Sequence, residues 1–339
     1  MGQGHPVMRI RTLTRPARFP ATLESSGVAG EGPPTTVPKR SPHRSRRARS
    51  RDRLSRFTLF AAPGLLVYLA LVLVPVCITI GYSFTNKNPF NPPTRWVGAD
   101  NLTNLASDDE FLTALGNTVL VTVIVTIATN AGGLAIALLL DRRGWLYNVL
   151  RSVFFLPVVL SAVVVSVIWQ AILVDDGLLN SMLRRLGTSN PPGWLSDPDL
   201  ALYTVSWVIA WQGLGFCVVI YLAGLQGIPQ ELQEAASIDG CGPLMRFRHV
   251  TWPMLAPAVT INTVMSLIGG FKAYDQVQVL TNGGPGPGTT STLAFEVVQT
   301  AFNGNHIGYA SAMAVAMLVM VAVVSVIALG LLQKREVSS

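Results

Sequence analysis

The sequence predicts an all-α, polytopic membrane protein with six transmembrane helices. Three observations carry that prediction. Only 13% of the 339 residues are charged while 50% are hydrophobic, whereas soluble domains carry roughly 25% charged residues. Long stretches run without a single charge, each near or above the roughly 20 residues that cross a bilayer as helix. The charges that do occur are gathered between those stretches and in a basic leader.

The leader is residues 1–56. It holds thirteen Lys and Arg against three acids, a net +10, so the remainder of a chain of net +7 carries −3. The basic balance therefore belongs to a tail and not to a nucleic-acid-binding body. Rich in Pro, Ser, Gly and Arg, the leader has too little apolar surface to offset the entropy of ordering and is expected to be a disordered cytoplasmic tail. It either holds the first span in orientation or touches headgroups or a partner. Residues 57–110 are expected to form the first span and an outer loop, and residues 111–335 a five-helix core.

The spans are expected near 58–84, 113–140, 150–174, 201–225, 254–273 and 309–332. Phe57–Asn86, Phe111–Leu140, Ser152–Val174 and Leu200–Gln230 are uncharged, His249 and Lys272 bracket the fifth run, and Tyr309–Leu332 forms the sixth. Arg46-Arg47 ahead of the first run invites a twin-arginine signal reading. That run is longer than a signal core of about 7–15 residues, and no small-residue cleavage site follows, so a retained span is expected. Basic residues favour the cytoplasm. With the N-terminus inside, inner segments hold twenty Lys and Arg and outer segments five, or seven against five without the leader. Both termini and the segment after the fourth span are then expected in the cytoplasm.

No acidic or basic residue falls at the centre of a span. Proton- or sodium-driven carriers keep such groups at membrane depth, and no inverted repeat is evident. There is no GxxxxGK[ST] phosphate loop. No Cys/His spacing suits a metal; Cys77, Cys217 and Cys241 are expected in packing roles. The acids Asp108-Asp109-Glu110 and Asp175-Asp176 stand at outer helix starts, where the helix dipole favours them. Thr281–Thr292, TNGGPGPGTTST, is turn-rich; it either returns the chain to the sixth span or meets an external partner. No catalytic residue and no metal ligand is expected.

The charged segment 229–250 stands apart. Pro229 suits the first position of a short helix. Glu231 and Glu234 follow in its early turns, Leu232, Ala235 and Ala236 share one small apolar face, and Gly240 suits a left-handed stop. Gly242-Pro243 opens a second helix toward Val250. Asp239 near a helix C-terminus opposes the dipole, which an intermolecular cation would relieve. An amphipathic surface helix tying two spans together is the alternative reading of the same pattern.

Glu234-Ala235-Ala236, Asp239-Gly240, Phe247, Val250 and Pro253 together resemble the EAA loop of the inner-membrane permease subunits of bacterial ABC importers. Cys241 stands where that family commonly has alanine and Trp252 where it has leucine; the spacing is unchanged. Asn117-Thr118, Leu156-Pro157, Phe271-x-x-Tyr274-Asp275 and Leu280-Thr281-x-Gly283-Gly284-Pro285 extend the resemblance over roughly 57–335. The last two motifs resemble the carbohydrate branch, the relatives of the maltose and glycerol-phosphate permeases. The resemblance implies a type I importer permease (MetI-like) fold and the role of a transport subunit without its own ATPase site. It implies that Glu234, Ala235, Ala236, Asp239 and Gly240 couple the chain to an ATPase dimer, which binds the ATP and Mg; this chain itself holds no cofactor. It implies a second permease subunit of similar fold, an extracytoplasmic solute-binding protein, surrounding membrane lipid and a place in the cell membrane.

A sugar pathway needs aromatic faces and a few polar groups. Trp211, Gly213 and Phe216 on the fourth span match positions that line the cavity in the maltose-permease relatives; Trp207 and Gln212 stand beside them. Ser266, Gly270, Lys272, Tyr274 and Asp275 on or after the fifth span, and Ser161, with Ser166, Trp169 and Gln170, on the third, complete the candidates. Each tryptophan equally suits a packed or interfacial position, and Lys272 and Asp275 at i, i+3 suit an ion pair. The fifth span has less asparagine than the maltose permease, so no particular sugar carries over. Solutes such as an amino acid, peptide or phosphate ester remain an alternative cargo, and an independent carrier or membrane enzyme is disfavoured by the missing intramembrane charges.

Overall fold

In the computed structural model, residues 61–142 and 144–334 are described. The basic leader, residues 57–60 of the first expected span, Arg143, and Arg335 with the residues after it lie outside them. The first helix, α1, is Ala61–Ser83, with a wider π turn at Leu69–Leu73. A short helix, α2, at Asp100–Asn104 follows; Asn101 donates to the carbonyls of Ser83 and Thr85 at 2.8 and 2.9 Å and so closes the end of α1. The long helix α3 is Asp109–Leu140, capped by the Asp108 carboxylate, which accepts from the amides of Glu110 and Phe111. That cap, with acids in the first turn, is what the sequence of this helix start favours.

The third expected span differs from its prediction. Instead of one helix over 150–174 there are two, α4 at Trp145–Val159 and α5 at Ala162–Leu173. Leu160 and Ser161 between them are extended. The break has local causes: Pro157 lies within α4, where it brings no N–H to the helix ladder, and Ser161 caps α5 by accepting from the amide of Val164. A short helix, α6, at Leu178–Arg185 follows.

Helix α7 runs Pro198–Gln226, capped by Asp197 with Pro198 in its first turn. Then come α8 at Gln230–Ile238 and α9 at Pro243–Met254, the latter with a π turn at Phe247–Thr251. Helix α10, Ala256–Phe271, leaves α9 at a 65° bend, so the fifth span begins after an elbow at Leu255. Short helices α11, Asp275–Leu280, and α12, Leu293–Val298, precede the last span, α13, Ile307–Gln333. Among the described residues five helices are long and apolar enough to cross a membrane, or six with the bent pair counted as one. The only strand-like pairing among the described residues is an isolated bridge between Thr85 and Trp96.

At the centre α3 packs against α7 and α10; α4 packs on α7, α13 on α10, and α1 on α13. Because lipid is as apolar as leucine, such contacts depend on close approach more than on burial. A Cβ on Gly270 would lie 2.6 Å from the Thr122 Cα, and one on Gly133 2.7 Å from the Cys217 Cβ. Glycine at these positions lets α10 and α7 touch α3. Cys217 is accordingly buried, as expected of a packing cysteine, whereas Cys77 is exposed on α1.

The glycine-rich loop 281–292 is tied to α3. Asn117 donates to the carbonyls of Gly288, Thr289 and Ser291 at 2.9, 3.3 and 2.9 Å, and Thr118 accepts from the amide of Leu293 at 2.8 Å. Thr292 donates to the carbonyl of Ala273. The Asn117-Thr118 pair thus serves as a buckle for a loop with few side chains of its own to pack. Asn117→Ala is expected to lower stability by about 1–3 kcal/mol, the range for leaving buried acceptors unmet. Asn117→Asp, which sets acceptor against acceptors, should cost more. Thermal unfolding of the purified protein checks both, and an unchanged midpoint in each would remove the buckle.

Candidate functional site

A cavity of about 340 Å³ lies among α3, α4, α5, α7 and α10, and Gly213, Phe216 and Ser266 all line it. The backbone break shapes its wall, since Val158 and Ala162 flank the gap and face the same space. Gln212 donates to the Leu160 carbonyl at 3.1 Å, meeting the acceptor that the break frees. Gln276 in turn donates to Gln212 Oε1 at 3.2 Å. Ser266 is bonded to Thr129 at 3.0 Å. The cavity therefore offers one aromatic ring, two coupled amides and a hydroxyl pair within an otherwise apolar wall, the composition of a site for a neutral polar solute.

The other predicted pathway residues lie elsewhere. On α7, at 100° per residue, Phe216 is 140° around from Trp211, and Trp211 does not line the cavity. Instead Trp169 stands edge-on to both Trp207 and Trp211, with centroids 4.9 and 5.3 Å apart. Trp169 and Trp207 border a separate apolar slot of about 430 Å³ with Trp194 and Tyr203. Gly270 is buried against Thr122 and is a packing glycine. Ser161 is the helix cap at the break. Tyr274 bonds Gln278 and tilts against Phe295. Lys272 and Asp275 are exposed, and the ion pair their spacing suggested does not form: the only salt bridge among the described residues joins Arg184 and Asp176. The Asp275 carboxylate sits at the first turn of α11, beyond the end of α10, so the two side chains do not share one helix. Sequence reasoning missed Thr129, Gly269 and Gln276. Thr129 could have been found, because it follows Thr118 by eleven residues and Thr122 by seven, three turns and two turns along one face of the same helix.

A second candidate site is the surface pair α8–α9. Gly240 has φ +76°, the left-handed stop its type suggested. Its amide bonds the Ser237 carbonyl and that of Cys241 bonds the Ala236 carbonyl, closing α8 in a Schellman turn. Pro229 is the residue before α8 rather than its first. The small apolar face divides: Ala236 is buried against the chain, whereas Glu234, Ala235, Asp239 and Gly240 are exposed. Ile238 and Leu244 are 86% and 81% exposed, two large apolar side chains on a helical pair that none of the described residues covers. Gln230 holds Glu234 at 2.7 Å on the surface.

Residues 130–336, which include the α8–α9 pair and all of the cavity lining but Val125 and Thr129, match the family described as binding-protein-dependent transport system inner membrane components. The chain belongs to that family. It is a permease subunit of the ABC-importer type and a multi-pass membrane protein. Among similar proteins, a probable starch degradation products transport permease of Thermoanaerobacterium thermosulfurigenes is 37% identical over 83% of this chain and 95% of its own length. The arabinooligosaccharides transport permease of Bacillus subtilis is 32% identical over 80% and 87%. The multiple sugar-binding transport permease of Streptococcus mutans is 34% identical over 76% and 88%. A crystal structure of a bacterial ABC transporter that imports the acidic polysaccharide alginate shares the fold, with a TM-score of 0.74 at 19% identity, over 86% of this chain and 99% of that one.

The opposite end of the permease from α8 carries an acidic mouth beside the glycine loop, lined by Asp109, Glu110, Asn282 and Glu296. Tyr309 donates to the Asp108 carboxylate there. Burial raises the Glu296 carboxyl above its ordinary range; a bond from Ser291 opposes the shift, and the nearby Glu110 and Asp108 charges add to it. A raised carboxyl favours the folded state most below the unfolded pKa, and that contribution is lost as pH rises through the folded pKa. Glu296→Gln is therefore expected to be more stable than the native protein at pH 7, with the advantage shrinking as pH falls toward 4. Unfolding midpoints across that range check the sign; a variant less stable at pH 7 would reverse it.

Proposed function

We propose that this permease forms half of the translocation pathway for a sugar or related polyol, driven by a cytoplasmic ATPase through α8. One observation carries the reading: Gly213, Phe216 and Ser266 converge on a cavity beside a broken span, where two glutamines present amide groups. Irregular backbone at membrane depth is tolerated where it lines such a space, and discontinuous helices mark solute sites in other transporters. The named cargoes of the relatives, starch degradation products, arabinooligosaccharides and multiple sugars, support a carbohydrate over an amino acid or peptide. An uncharged cavity suits hydroxyl-rich, neutral cargo.

Within this proposal Glu234, Ala235, Asp239 and Gly240 are the exposed coupling surface. Ala236 supports it from beneath. The ATPase dimer binds the ATP and Mg, this chain having no nucleotide loop of its own; a second permease completes the pathway, and a solute-binding protein delivers cargo from outside. The family description itself names dependence on a binding protein. The charge bias, twenty Lys and Arg against five, supports a cytoplasmic side for α8 and both termini. Pathway roles for Trp211, Gly270, Lys272, Tyr274 and Asp275 are given up in favour of Phe216, Gln212, Gln276 and Ser266, with Ser161 shaping the break.

ATP-driven uptake in proteoliposomes, with co-expressed partners and their binding protein, tests the proposal. Gly240→Val forces a β-branched residue to φ +76°, and Glu234→Arg reverses the charge of the exposed turn; both are expected to insert normally and to abolish uptake. Phe216→Ala is expected to weaken solute use by about tenfold, the scale of one lost aromatic contact, while Trp211→Ala leaves it nearly unchanged. Normal uptake by both α8 variants would end the coupling assignment. A larger loss in Trp211→Ala than in Phe216→Ala would move the pathway to the other face of α7.

A further inference from the structure

At the α8 end of the permease lies a groove of about 800 Å³ that shares only Glu234 with the proposed coupling surface. Its walls are the turn after α3, the start of α4, the end of α7, and the facing sides of α8 and α9. Three guanidinium groups from three of these elements line it: Arg142 of the turn, Arg151 of α4 and Arg246 of α9. Two carboxylates, Asp141 and Glu234, line it as well. Yet the only salt bridge among the described residues, Arg184–Asp176, is formed elsewhere, so none of the three arginines pairs directly with either carboxylate.

Their bonding is uneven. Arg151 donates to the carbonyls of Leu140 and Arg142 at 2.7 and 3.1 Å, and so closes the C-terminus of α3, and to Asn148 Oδ1 at 3.3 Å, but its Nε is buried without a partner. Arg246 has one long bond, 3.4 Å to Ser237. Arg142 makes no side-chain hydrogen bond among the described residues. Helices α4 and α8 both begin at the groove, behind Gly144 and Pro229, with no side chain capping either start. The two helix starts add positive potential to the three cations. The groove thus gathers three cations against two carboxylates and leaves guanidinium donors available to an anion.

We propose that this groove binds a polyol phosphate. Arginine forks match phosphate oxygens in two-point fashion. Asn148, Gln226 and Gln233, with the carboxylates of Asp141 and Glu234, supply acceptors that a bare inorganic anion would not use and that polyol hydroxyls would. The volume falls within the usual range for small-molecule sites. The ligand comes either from solution, as a sugar phosphate, or from the bilayer, as a phosphoglycerol headgroup. It would rest against Gln230, Gln233 and Glu234, bridging α8 to the turn after α3. The inference stands without the transport reading, because binding is measured on this chain alone.

The full-length protein in neutral phosphatidylcholine nanodiscs is titrated with glucose 6-phosphate, following its unfolding midpoint, with glucose, inorganic phosphate and potassium chloride of matched ionic strength as controls. A saturable rise with glucose 6-phosphate, smaller with inorganic phosphate and absent with glucose and chloride, assigns the soluble source. A rise only when phosphatidylglycerol replaces phosphatidylcholine assigns the headgroup. In either case Arg142→Gln with Arg246→Gln is expected to weaken binding by about tenfold or more; Arg151, which closes α3, is left intact. No rise from either source, or one undiminished in the double variant, would overturn the site.

Discussion

A carbonyl freed in the middle of an apolar helix must find its donor within the protein, because lipid supplies none. Leu160 is such a carbonyl. It is met by Gln212 of α7, which is itself held by Gln276 beyond α10. The chain therefore cannot break its third span without also fixing the faces of α7 and the start of α11 toward the break. The cavity is a consequence of that constraint. It exists where the helix is interrupted, and its amides are the groups the interruption demands.

The same logic holds along α3. Asn130 accepts from Tyr221 of α7 at 2.7 Å and from Thr263 of α10 at 3.5 Å, and Asn262 donates to the Cys217 carbonyl. These polar side chains lie in helices that are otherwise uniformly apolar, and they meet where glycine brings the backbones close. Such bonds within a membrane are individually modest, on the order of 1 kcal/mol. Their value here is directional, since a uniformly apolar helix has no preferred face, and a threonine-and-asparagine stripe gives α3 one.

That explains what could be read from the sequence. The spans were legible because length and lack of charge are sufficient signals. The α8 stop was legible because Gly240 is the residue type a left-handed turn requires. Rotation was not: when every residue is apolar, periodicity carries no information about which side faces inward. Trp211 and Phe216 looked equivalent for this reason, and the packing separates them: Phe216 lines the cavity and Trp211 stands against Trp169. The break at Leu160–Ser161 was hidden because Pro157 falls four residues before Ser161, within helix that continues to Val159, so proline did not mark the boundary. Lys272 and Asp275 looked like a helical pair because the helix was expected to extend to residue 273, whereas α10 ends at Phe271 and the acid opens α11.

The surface helices and the cavity are joined by one stretch of chain, and the elbow in it decides how movement can pass. Leu255, between α9 and α10, is fully buried; its side chain lies against Gly224 of α7, where an added Cβ would come within 2.9 Å. The elbow is thus pinned to the helix that carries Gln212 and Phe216. Helix α10, leaving the elbow, carries Ser266 to the other wall of the cavity. A displacement of α8 and α9 has two ways to proceed. It can turn about Leu255, which opens the 65° bend and swings Ser266 relative to Phe216, or it can carry α7 and α10 together, which leaves the cavity unchanged and strains the contact of α4 with α7. The π turn at Phe247–Thr251, whose wider hydrogen bonding is a local departure from helix, lies on the α8 side of the pin. The tight glycine contact opposes sliding at the elbow, so of the two ways the packing leaves rotation about Leu255 less obstructed.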